Sequence, residues 1–72
     1  SDPVSDVDNV LAMLDQPMVK GKLVAMLQTE LGYSYHKARE IVNTALELEL
    51  IEERYEADPE NHKRINKIIS LK

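Results

Sequence analysis

Seventy-two residues without a cysteine make one small domain that depends on a modest apolar core, with no disulfide or thiolate metal site to reinforce it. Thirteen acidic against nine basic side chains leave a net charge of −4, which argues against indiscriminate coating of nucleic acid and makes the placement of the cations decisive. No apolar run approaches the roughly 20 residues that span a bilayer, and the N-terminus has neither the basic start nor the apolar centre of a signal peptide.

Residues 1–5 read as a disordered N-terminal segment, with the domain running over 6–72. The first helix is expected from about Asp6 to Asp15. Ser5 stands as its N-cap, and Asp6 and Asp8 favour the positive end of the helix dipole. Val7, Val10, Leu11 and Leu14 recur at helical spacing, and Pro17 ends the pattern. Met18 and Val19 form a short apolar link, long enough for a two-residue strand. A second helix follows from about Gly21 to Leu31, with Leu23, Met26, Leu27 and Leu31 as its stripe and Gly32 as its left-handed close.

Ser34 is the expected N-cap of a third helix whose core stripe is Ala38, Ile41, Val42, Ala45 and Leu46. The opposite face carries His36, Glu40, Asn43 and Glu47, flanked by Lys37, Arg39 and Thr44. The last segment is ambiguous by pattern. Asp58-Pro59 would start a helix well, and Ile65, Ile68 and Ile69 suit a helical stripe. The alternative is a hairpin: a strand entered at Leu50-Ile51, a turn near Pro59–Asn61, and a return strand with Ile65, Lys67, Ile69 and Leu71 on one face. Its β-branched content favours the hairpin.

The stretches ALELELIEE and DPENHKRINKIISL carry a resemblance that separates these alternatives. From Ala25 to Leu71 the chain resembles the DNA-binding core of MarR-type transcriptional regulators. In that family a helix runs into a Leu-Ile step, and a wing follows with an aspartate, a basic pair and a closing aliphatic strand. The C-terminal winged helix of archaeal minichromosome maintenance helicases is similar in size and layout. The resemblance implies a mostly α fold with a small β-hairpin: a winged helix-turn-helix of three helices and a C-terminal wing. Two departures stand out. Glu49 occupies the place of the family's glycine before Leu-Ile, so the third helix is expected to end less sharply. The flanking helices through which MarR-type proteins dimerise have no counterpart in these residues.

Double-stranded DNA is the partner so implied, for a transcription or replication regulator acting in the cytoplasm (nucleoid) or the nucleus. The third helix would enter the major groove, where Arg39 suits guanine and Asn43 suits adenine. His62, Lys63 and Arg64 at the wing tip, with Lys67 on the return strand, would meet the backbone or minor groove. Ser34, Tyr35, His36 and Lys37 begin the third helix, where backbone amides favour a phosphate. Lys20 and Lys22, before the second helix, could add one phosphate contact but read chiefly as plain surface. Seven acids between Glu47 and Glu60 must face away from any phosphate backbone for this reading to hold. His36 and His62 lack metal-ligand spacing, and no nucleophile–base set or phosphate loop is recognisable, so neither enzyme activity, a metal nor another cofactor is expected. The competing function is a winged-helix protein-interaction module within a larger machine, which the acidic balance suits.

Overall fold

The computed structural model describes residues 3–72 as three helices and a three-stranded antiparallel sheet. Helix α1 spans Pro3–Met13. Its start lies inside the segment expected to be disordered. Proline at a first helical position sacrifices no hydrogen bond, so the helix begins there rather than after Ser5. Ser1 and Asp2 lie outside the described residues. The helix stops short of Asp15, ahead of Pro17, whose ring disfavours helical geometry in the residue before it.

Strand β1 is Met18–Val19, and helix α2 is Lys20–Leu31. Gly32 closes α2 at φ 75°, the left-handed geometry that glycine adopts without a Cβ penalty. Helix α3 is Tyr35–Glu47. Ser34 caps it, its Oγ accepting from the Lys37 amide at 3.0 Å. The end of α3 corrects the expectation of a loose terminus. The Glu49 amide donates to Leu46 at 3.0 Å and the Leu50 amide to Ala45 at 3.1 Å. These two bonds are the paired closure of a Schellman motif, and they require a left-handed residue between them. Glu49 supplies it at φ 60°, so the helix ends as sharply as a glycine would end it.

Strands β2 (Ile51–Asp58) and β3 (Asn61–Leu71) form the hairpin, which excludes a C-terminal helix from Asp58. With 8 and 11 residues they are longer than the small hairpin expected. Strand β1 also joins β3, giving the order β1-β3-β2. Directly paired residues in an antiparallel ladder share a face. Tyr55 pairs with Lys67 and Glu53 with Ile69, so the face that buries Ile69 also carries Glu53, Tyr55 and Lys67. Glu52, Arg54 and Glu56 occupy the other face.

The core gathers Val7, Val10 and Leu14 from α1, Leu23, Val24 and Leu27 from α2, and Ala38, Ile41, Val42 and Ala45 from α3, closed by Ile51 and Ile69 of the sheet. Two stripe residues differ from expectation. Val24 is buried, whereas Leu31, the last residue of α2, is exposed. No described helix is long and apolar enough to cross a membrane.

Candidate nucleic-acid interface

The apolar stripe of α3 is consumed by the core, which leaves the opposite side of this helix to solvent. His36, Arg39, Glu40, Asn43, Thr44 and Glu47 line a shallow depression there. Thr44 is turned inward on its own helix, donating to the Glu40 carbonyl at 2.9 Å. Asn43 is held from a neighbouring element. Its Oδ1 accepts from Lys20 Nζ at 3.1 Å, leaving the amide NH2 group directed elsewhere.

That lysine, read from the sequence chiefly as plain surface, is brought beside Asn43 by the fold. Lys20 is the first residue of α2, directly after β1. The register pairs Met18 with Ile69 and Val19 with Ile68, and Lys20, the next residue and the start of α2, lines a cleft with Lys67. On its other side Lys67 pairs with Tyr55, and its ammonium lies 5.6 Å from the Tyr55 ring centre. Arg39 lies at the same distance over the Tyr35 ring. Lys20, Tyr35, Arg39 and Lys67 therefore line one cleft, with Gly21, Val24, Ala25 and Gln28 of α2 completing it. The Lys20 ammonium is held below the usual lysine range by burial first, then by the Lys67 charge; Glu53 opposes this, and Arg39 adds to it. No short-range signal announces this grouping, because 47 positions separate Lys20 from Lys67 in the numbering.

The basic residues of the hairpin end stand apart from that cleft. The turn is Pro59-Glu60 between the paired Asp58 and Asn61. Asp58 Oδ1 accepts from the Glu60 amide at 2.8 Å, an Asx turn, and Asn61 Oδ1 accepts from the Lys63 amide at 3.1 Å. Ala57 pairs with Ile65 while Asp58 pairs with Asn61, so His62, Lys63 and Arg64 are the surplus residues of a bulge. All three are exposed. Arg64 approaches Asp58 at 3.9 Å. Backbone donation from Glu60 chiefly holds the Asp58 carboxyl below its usual range, assisted by Asn66 and Arg64.

Three expected residues have partners within the protein. Ser34 Oγ is engaged in capping. Lys37 turns toward α1, 3.8 Å from Asp6, and lines neither the depression nor the cleft. Tyr35 is 57% exposed, and packs under Arg39 rather than into the core. The acidic stretch is not uniformly turned aside: Glu52 and Glu56 lie on the far face of the sheet, but Glu53 shares the face of Lys67. Glu47 stays on the exposed side of α3.

No protein-family model, curated protein or solved structure matches this chain. Its functional reading rests on these groups alone.

Proposed function

We propose that this chain is a winged helix-turn-helix domain that binds double-stranded DNA within a transcription or replication regulator. Helix α3 would enter the major groove, and the β2–β3 hairpin would follow the backbone or the minor groove. The observation that carries this reading is the exposed side of α3, where Arg39 and Asn43 lie one turn apart with Lys20 and Lys67 beside them. Arg39 and Asn43 have the donor and acceptor sets for purine edges in the major groove. Lys20 and Lys67, with Lys63 and Arg64 on the hairpin bulge, supply phosphate contacts that position the helix without specifying sequence. The total charge does not oppose this, because affinity follows the local cations at the contact; Glu47 on the exposed side of α3 and Glu53 beside Lys67 do oppose it, since they do not face away as the reading requires.

The test is a chemical-shift titration of the labelled protein with duplex DNA. Changes concentrated at His36, Arg39, Asn43 and His62 to Lys67 support the reading, and an unchanged spectrum rejects it. Affinity should also fall with salt, with a log–log slope of about −3.6 for these four phosphate contacts.

A second reading has its own observation. Leu48, Leu50 and Leu71 are each 42–50% exposed at the junction of α3 with the sheet, where the Lys72 amide donates to the Leu50 carbonyl. With the acidic balance, this apolar surface favours a protein-interaction module of a larger replication or transcription machine. Shifts at these leucines on adding a partner, with none on adding DNA, would favour it.

A further inference from the structure

The pairing of β1 with β3 assembles three cations that charge repulsion alone would separate. Lys20 and Lys67 line one cleft beside the end of the ladder, and Arg39 reaches it from the first turns of α3. Among the described residues, none of the three forms an ion pair. Both lysines are half-buried, so solvent screens them less than it would at an open surface. Glu53 is the single acidic side chain that acts on Lys20 appreciably.

We infer that the cleft of about 490 Å³ between the start of α2, the start of α3 and the middle of the hairpin is an anion site that takes a phosphate group through Lys20, Arg39 and Lys67. Three cationic donors suit a phosphate, either one to each terminal oxygen of a monoester or shared over the two non-bridging oxygens of a strand phosphodiester. An ammonium offers rotatable donors and a guanidinium a planar fork, so the set adapts to a tetrahedral anion. Two of the donors are already placed, Arg39 over Tyr35 and Lys67 over Tyr55. Gly21 leaves open space at the cleft's edge, since a Cβ built there meets nothing within 4 Å. Gly21, Val24 and Ala25 give one wall little polarity, which suits a phosphate joined to a sugar or base. The phosphate belongs either to a bound strand or to a free nucleotide. The site shares Lys20, Arg39 and Lys67 with the proposed DNA interface but does not depend on duplex binding.

Titration of the labelled protein with inorganic phosphate, at ionic strength held constant with potassium chloride, tests this directly. Saturable shifts are expected at Gly21, Tyr35, Arg39 and Lys67 and at the Lys20 side chain. Lys20→Gln and Lys67→Gln should each weaken binding about fivefold, while Lys20→Arg should retain it. Shifts that do not saturate, or an affinity unchanged in the Lys20→Gln/Lys67→Gln double variant, would overturn the site. Two further arms assign the source. Displacement of phosphate by a duplex points to a strand, and tighter binding of adenosine monophosphate without such displacement points to a free nucleotide; both support the site. Saturable phosphate binding in a protein that ignores duplex DNA would uphold this inference while removing the DNA reading.

Discussion

Replacing Glu49 with glycine should stabilise this domain. Glu49 is held at φ 60° by the two backbone bonds that close α3. A residue with a Cβ pays about 1–2 kcal/mol for that geometry. Glycine removes this cost but adds roughly 0.5–1 kcal/mol of chain entropy to the unfolded state. The substitution also deletes the 3.4 Å pair with Lys72, whose side chains are 78% and 51% exposed. Such a pair contributes about 0–0.5 kcal/mol. Removal of a carboxylate from the negative end of a helix offsets it by a few tenths. The net expectation is a gain of about 0.5–1 kcal/mol, and at about 4–8 °C per kcal/mol in a domain of this size, a Tm higher by roughly 2–8 °C. Thermal unfolding followed by circular dichroism reads it. Glu49→Ala is the control, because it removes the carboxylate and keeps the strained backbone; its Tm should stay within about 3 °C of the parent. A lower Tm for Glu49→Gly, or an equal gain in Glu49→Ala, would refute the strain argument.

Other outcomes follow from the same structure. Ile69→Ala empties a fully buried position where β3 meets the helices and should cost about 2–5 kcal/mol, read from denaturant midpoints. Lys63→Ala with Arg64→Ala should weaken binding to all duplexes alike and flatten the salt slope by about 0.9 for each lost phosphate contact. Asn43→Ala should instead relax preference at one base position, by about 1–3 kcal/mol of discrimination, in a competition series of single-base variants. The Asp58 carboxyl is depressed in the folded state, so its turn is stabilised above the ordinary value of 3.8 and loses that contribution as pH falls through the lowered one. An acid titration of the Glu60 and Asn61 amide signals checks this, and an Asp58 midpoint above 3.8 would contradict the bond geometry.

Much of the architecture was legible because it is local. Ser34 and Gly32 marked helix ends through capping chemistry, and Ala38, Ile41, Val42 and Ala45 showed the buried side of α3 through their period. The two-residue strand at Met18–Val19 and the shared face of Lys67 and Ile69 followed from apolar runs and alternation. The helix-or-strand ambiguity after Asp58 was real, since proline after an aspartate starts a helix and shapes a turn equally well. Glu49 in place of the family's glycine implies a looser helix end, because a side chain has a cost in left-handed geometry. The closing bonds to Ala45 and Leu46, with Ile51 buried at the start of β2, outweigh that cost.

The candidate site divides along the same line. Sequence alone determined that α3 exposes His36, Arg39 and Asn43, because burying one stripe of a helix leaves its opposite face free. It also determined that a turn near Pro59 is followed by three basic residues. Tertiary structure alone decided that Lys37 turns to Asp6, that Glu53 stays among the cations, and that Lys20 joins Asn43 and Lys67. The physical reason is register. A ladder between β1 and β3 carries residues from opposite ends of the chain into contact, and no local periodicity encodes which will meet.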